Sequence, residues 1–458
     1  MTKQECAIKY ITENYLDYSR LRHDVIADKL QVRMENGWRE MTKHDINSIV
    51  CHAAQEYDAN ITSREVMTAL QSDLIPDVHP LREYINALPR YTPDQPDWID
   101  FVAQQVRVRE SSADRPKGLS ERTACCQTTM LLDRPYGAER PTNLTGEADL
   151  TISEAHGLTS NSSQRERSKA DRLWRACFKK WFVAMVASWM KDEVVNHQVL
   201  VLIGKQGIFK TTWLEHLIPP HLRAYACKLA NSNDLNKDER LRIAEFGLIS
   251  LDEIDSMNNR ELNQLKSVIT ATDVNERAAY AYTKERRVRL ASFCASGNRR
   301  DFLTDITGNR RWLPFEVESI QNPFYTLLPY ERMYAQAWAL AQDPLFSYWF
   351  DLEEIDVLEQ HNQHFRDESN EEQLLDVYFA VPAEGASNTK FLTTAEISER
   401  LIYYGNIKRP LSLSRLGVLL SQKGFLSIRK GSPQRRGWVV YERDNEEINA
   451  ERRILSKT

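Results

Sequence analysis

The chain has 458 residues, a formal net charge of −5 and a hydrophobic fraction of 42%. That length has room for roughly two to four domains, and the apolar fraction is enough to bury real cores, which excludes a generally disordered chain. With a slightly acidic balance, any hold on nucleic acid must come from local basic patches and not from an overall positive field.

The start, "MTKQECAIKYITENY", has no long apolar run. The richest one, Trp181 to Met190, is about half of what a bilayer span needs, so a soluble cytoplasmic protein without a membrane partner is expected. Seven cysteines form no CxxC pair and no Cys/His cluster, which suits reduced thiols and argues against structural zinc.

Residues 1–108 carry helical periodicities such as "DINSIVCHAAQEY" and "SREVMTALQSDL", and predict a helical N-terminal domain closed by "DVHPLREYINALP". From 109 to 168 the chain is polar, rich in Ser, Thr, Gly and Pro, and without sustained periodicity, which predicts a flexible insert or linker. A core is expected over 169–345. It opens on "DRLWRACFKKWFVAMVASWM", a helix with Trp174, Cys177, Phe178, Trp181, Met185 and Ser188 on one face. The runs "QVLVLIG", "FGLISLDE" and "VRLASFCASGN" have strand length and alternate with helical text, so the fold class is α/β with a parallel sheet. An acidic helical linker (346–371) follows, then a compact unit (372–445) and a tail (446–458). In that unit two short helices and a hairpin turning at Gly-Ser-Pro resemble a winged helix in their order.

The stretch "GKQGIFKTT" is the first candidate site. A strand, a glycine-bearing turn and Lys-Thr at a helix start can cradle phosphate. Backbone N–H groups meet the oxygens, the lysine neutralises charge, and the hydroxyl ligates Mg²⁺. The nucleotide-binding residues would be Gly204, Lys205, Gln206, Gly207, Ile208, Phe209, Lys210, Thr211 and Thr212. Phe209 stands where the G-x-x-x-x-G-K-[ST] pattern has its last glycine, so either a working or an eroded site fits the residues alone. About 40 residues on, Asp252 and Glu253 end an apolar strand, where one carboxylate can hold Mg²⁺, with Thr211, and the other can polarise the attacking water. Asn298 ends a third strand and can orient water or sense a γ-phosphate. Arg310 and Arg311 follow a glycine turn, and either finish a neighbouring subunit's site or anchor the Trp312 loop.

In this order the motifs "HPLREYI", "GKQGIFKTTW", "LISLDEID", "ELNQLKSVITATDVNERAAYAY", "FCASGN" and "FLTDITGNRRWLPFEV" resemble the virulence-associated protein E family of phage and mobile-element ATPases. That family is related to superfamily 3 helicases and pox-type primase-helicases. The resemblance covers roughly residues 20–345, apart from 109–168, and its departure is Phe209. It implies a P-loop NTPase core of AAA+ type, ATP with Mg²⁺, and a homo-oligomeric, hexameric ring around single-stranded DNA. Matched by position, Lys210 and Thr211 would hold phosphate and metal, Asp252 and Glu253 form the acidic motif, Asn298 serve as sensor, and Arg310 or Arg311 act in trans.

Two stretches suit nucleic acid. "NERAAYAYTKERRVRL" interleaves Arg277, Tyr280, Tyr282, Lys284, Arg286, Arg287 and Arg289, which fits phosphate contacts with base stacking, or else inter-subunit salt bridges. In superfamily 3 helicases the matching region carries a channel hairpin. Between Leu401 and Tyr441 the charges are all basic, including Arg429, Lys430, Arg435 and Arg436, which suits duplex DNA or, as the alternative, protein docking. The leading expectation is an ATP-driven DNA helicase in the replication of a phage or mobile element. The other is a non-motor DNA-binding initiator or regulator with a nucleotide-sensing or degenerate site. No Asp-x-Asp pair precedes the core, so a primase, where needed, would be a separate chain.

Overall fold

The computed structural model describes residues 1–35, 37–109, 169–229, 237–276, 285–303, 309–366, 370–383, 389–405, 412–430 and 434–455. The chain divides into two compact units, Met1–Arg300 with Arg310–Leu358, and Asp301–Asn309 with Glu359–Thr458. Both are mixed α/β. The predicted insert lies outside the described residues but for Arg109. Among those described, no helix is long and apolar enough to cross a membrane.

The first unit begins with a four-stranded sheet of Leu21–Asp24 (β1), Lys29–Met34 (β2), Gly37–Glu40 (β3) and Asp77–Val78 (β4), in the order β3-β2-β1-β4. Helices Lys3–Ile11, Lys43–Glu56 and Ser63–Leu70 share a small core with it, through Ile11, Leu21, Ile49 and Val66. The helical expectation for 1–108 therefore holds only in part. Strands of four to six residues present two or three inward positions, too few for alternation to stand out against helical text. Residues 80–108 do not belong to this small core: Leu81, Ile85, Trp98 and Val102 pack into the large core built around the following region.

That core surrounds a six-stranded sheet of Val106–Val108 (β5), Val199–Ile203 (β6), Ala226–Leu229 (β7), Leu248–Leu251 (β8), Ser292–Gly297 (β11) and Trp312–Ile320 (β12). Between β8 and β11 in the chain, Asp273–Glu276 (β9) and Glu285–Val288 (β10) pair as a separate antiparallel ribbon. The sheet order is β5-β12-β6-β11-β8-β7. The five strands from β12 to β7 are mutually parallel, and β5 adds to the edge antiparallel. All five residues of β6 are buried, as befits a strand covered on both faces.

Helix Lys169–Met190 lies in this core. Its sequence has no Gly or Pro to interrupt it. The predicted face is buried, and so are Phe182, Val183, Ala184, Val186, Ala187 and Trp189, so the second half is enclosed all round. Its indoles are not left unsatisfied: the Nε1–H groups of Trp174, Trp181 and Trp189 donate to the carbonyls of Ala103, Phe293 and Gly247.

In the second unit, helices Thr394–Gly405 and Leu413–Gln422 precede a hairpin of Leu426–Lys430 (β15) and Arg435–Glu442 (β16). Phe379–Ala380 (β13) and Thr389–Leu392 (β14) also pair with β16. Leu375, Ile397, Leu416, Leu420, Trp438 and Val440 fill the core. The expected tail is instead a helix, Asn445–Leu455, with Ile448 against that core. Asp444 starts it by accepting from the N–H groups of Glu446 and Glu447, while Glu447 accepts from the N–H of Asp444.

Candidate nucleotide site and nucleic-acid surfaces

Three neighbouring parallel strands end side by side, and each delivers predicted residues to one place. Such carboxyl ends are where open α/β sheets bind ligands. After β6 comes the turn 204–209, then helix Lys210–His216; after β8 come Asp252 and Glu253; β11 ends in Ser296, Gly297 and then Asn298. Gln206, Gly207, Phe209, Lys210, Thr211, Thr212, Asp252, Glu253, Ser296, Gly297 and Asn298 line a cleft of about 320 Å³. Gly204, Lys205 and Ile208 do not line it. A Cβ on Gly204 would lie 2.7 Å from the Val317 carbonyl oxygen, so β12 passes too close for any side chain there. Ile208 packs against the large core instead.

Lys210 is only 7% exposed, yet it is fully engaged. Its Nζ donates to the carbonyls of Gly204 at 2.8 Å and Lys205 at 2.7 Å, and to Asn298 Oδ1 at 3.3 Å. Burial pushes the pKa of this ammonium down, with Asp255 and Asp252 pulling it the other way. Behind it the hydroxyls of Ser296 and Thr211 lie 2.8 Å apart and donate to Asp252 Oδ1, at 2.8 Å and 3.3 Å. Lys228, on the neighbouring β7, holds Asp252 Oδ2 at 2.8 Å. Burial raises the Asp252 pKa, but the Lys228 ammonium and the Ser296 hydroxyl outweigh it and hold the carboxyl below its ordinary value. Two hydroxyls and a carboxylate in contact are hard oxygen donors of the kind Mg²⁺ takes, so the residues fit that ion.

Two non-glycine residues of the site have positive φ, Phe209 at +67° and Glu253 at +52°. That is the physical reason why a glycine is the natural residue at position 209. Phe209 pays for its conformation partly through packing, since its ring leans on the large core as well as lining the cleft. The backbone at Glu253 presents an exposed carboxylate just beyond the strand end. The sequence reading missed Ser296, Lys228 and Asp255. Asp255 accepts from the N–H groups of Asn298 and Arg299, at 3.1 Å each, and so fixes the Asn298 turn. Ser296 could have been found, because it lies two residues before Asn298 on a strand and side chains two apart share a face.

Arg310 and Arg311 do not join this cleft. They precede Trp312, which pairs with Val199 at the amino end of β6, whereas the turn 204–209 leaves the carboxyl end after Ile203. About 13 Å of strand separates the two ends. The His197 pKa is lowered mainly by burial, with Arg289, Arg311 and Arg310 adding to the shift.

The virulence-associated protein E-like domain profile matches residues 158–373. The chain carries a virulence-associated protein E-like domain. The match spans the whole cleft, the β9–β10 ribbon and the Arg310–Arg311 turn, and it ends before β13. No curated protein matches the chain. Among solved structures, the apo form of the NrS-1 C-terminal region aligns over 96% of this chain and 100% of its own, at 11% identity and a TM-score of 0.43. The A form of that region aligns over 96% and 99%, at 11% identity and a TM-score of 0.41.

Within the virulence-associated protein E-like domain, Arg277, Tyr280, Tyr282 and Lys284 lie outside the described residues. Arg286 and Arg287 stand on β10 and are paired in the same chain: Arg286 with Asp273 at 2.7 Å, Arg287 with Asp28 at 2.7 Å and Glu245 at 3.8 Å. Arg289, read from the sequence as one of the basic run, is 1% exposed and donates to the carbonyls of Ala291, Ile269 and Asn196. A guanidinium so enclosed is a structural tie and cannot reach a phosphate. Beyond the domain, Arg429, Lys430, Arg435 and Arg436 are all exposed on the β15–β16 hairpin. Arg429 faces Arg436, and Lys430 faces Arg435.

Proposed function

We propose that the chain hydrolyses ATP with Mg²⁺ and uses that reaction to move single-stranded DNA, as a superfamily 3 type helicase in the replication of a phage or mobile element. The observation that carries this reading is the convergence of Lys210, Thr211, Asp252 and Asn298 in one cleft, at the carboxyl ends of three adjacent parallel strands. The domain match and the strand order support an AAA+-like P-loop core. Helices and hairpin in that order support a winged helix in the second unit.

Each residue then has a task. Lys210, held meanwhile by two carbonyls of its own turn, exchanges them for phosphate oxygens. Thr211 and Asp252 are the residues to hold Mg²⁺, which when bound neutralises charge on the terminal phosphates. Glu253 orients and polarises the attacking water, and Asn298, already in contact with Lys210, senses the terminal phosphate. Arg310 or Arg311 would serve the neighbouring subunit of a hexameric ring. Arg286 and Arg287 on the β9–β10 ribbon, with Arg277, Tyr280 and Lys284 from the sequence between its strands, would meet single-stranded DNA, and Arg429, Lys430, Arg435 and Arg436 duplex DNA.

ATP turnover and strand displacement test this reading. Wild type should hydrolyse ATP faster with single-stranded DNA, while Lys210→Ala and Glu253→Gln should each lose about 10²–10³-fold in turnover. Turnover without strand separation under any DNA or salt condition would refute the motor. One observation favours a second reading, a nucleotide-sensing initiator: the strained Phe209 at the mouth of the cleft. ATP binding without turnover would select it.

A further inference from the structure

Both oxygens of Asp252 already accept from donors of its own chain. Oδ1 receives the hydroxyls of Ser296 and Thr211, and Oδ2 receives the ammonium of Lys228. These donors differ in kind. A hydroxyl can rotate and offer a lone pair to a metal ion that arrives, so Ser296 and Thr211 need not leave. An ammonium has only protons to offer and carries a positive charge, so it competes with an arriving divalent cation for the carboxylate and repels it. Lys228 also has somewhere to go. Its side chain is 45% exposed on the edge strand β7, and Glu215, on the helix that begins with Lys210, lies 3.8 Å from the same Nζ.

We propose that Lys228 is the resident cation of this site, which balances Asp252 until a divalent metal displaces it towards Glu215, and that Lys228 thereby sets the metal affinity. The inference rests on the nucleotide-site reading above. Lys228 is a positioning residue that acts through Asp252, and the compact, strongly hydrated charge on its flexible stem suits a group that moves between two carboxylates.

Mn²⁺ binding to the full chain, followed by the loss of the free-ion electron paramagnetic resonance signal, tests this without recourse to turnover. Titrations are made without nucleotide and again with a non-hydrolysable ATP analogue, on wild type, Lys228→Met, Lys228→Gln, Lys228→Arg and Asp252→Asn. Both neutral variants should bind Mn²⁺ about tenfold tighter than wild type, since a competing charge some 4 Å away is gone. Lys228→Arg should stay near wild type, and Asp252→Asn should abolish the site. An affinity unchanged or weakened in both neutral variants, while Asp252→Asn still abolishes binding, overturns the inference and leaves the site reading intact. Absence of any Asp252-dependent binding in both conditions overturns both.

Discussion

Phe209 is the residue that departs from the motif, and its backbone explains what a glycine would contribute there. An L-residue in the left-handed region costs about 1–2 kcal/mol, which glycine avoids, while the Phe209 ring gains packing against the core. The two terms can be separated. Phe209→Ala loses the packing and keeps the strain; Phe209→Gly loses the packing and relieves it. In thermal or denaturant unfolding the glycine variant should therefore be the more stable of the two by about 1 kcal/mol, the reverse of the usual order in helices. Nucleotide turnover by Phe209→Gly should equal or exceed that of wild type. A glycine variant less stable than the alanine variant would show that the turn does not need this conformation. At this scale the motif residues were legible because spacing along one strand–turn–helix is local. Lys228 was not, since its partner Asp252 is 24 positions away, and only the pairing of β7 with β8 brings the two together.

Among the elements, the β15–β16 hairpin has a cost built into it. Arg429 opposite Arg436 and Lys430 opposite Arg435 put like charges across an antiparallel pair, which destabilises a sheet. None of the four forms an ion pair among the described residues. Such an arrangement is consistent with a polyanion as partner, because phosphate would relieve the repulsion. Arg436→Glu should then move two properties in opposite directions. The hairpin gains about 0.5 kcal/mol from the new cross-strand pair, read as a raised thermal midpoint, while duplex DNA binding weakens and its salt dependence flattens. DNA affinity unaffected by the substitution would remove this surface from consideration. The β9–β10 ribbon contrasts with it: Arg286 and Arg287 have carboxylate partners within the chain, and Arg289 is enclosed. A count of basic residues could not tell these cases apart, because the sequence does not show which cations already have a carboxylate beside them.

For the whole molecule, the decisive fact is the separation of Arg310 and Arg311 from the cleft of their own chain, at the opposite end of the same pair of strands. If either serves catalysis it must serve another copy. Arg310→Ala or Arg311→Ala, whichever inactivates, should regain turnover when mixed with inactive Lys210→Ala, because one variant contributes an intact cleft and the other an intact arginine. Mixtures that stay as inactive as their parts would exclude the arrangement in trans and leave the pair as the anchor of β12.

What the sequence determined by itself was whatever depends on neighbours along the chain: the buried strand "VLVLI", the turn and helix after it, the acidic strand end at Asp252, and the helices and hairpin of the second unit. Each is written in hydrophobic period, turn chemistry or capping residues within about a dozen positions. The tertiary structure decided the rest. It formed the N-terminal sheet from strands too short to announce themselves, and it drew residues 80–108 into the large core. It also brought Ser296, Lys228 and Asp255 to residues far away in sequence, and turned Arg289 inward. The reason is physical: strand pairing and charge pairing join segments that are distant in the chain, and their energies exist only once the sheet has closed around them.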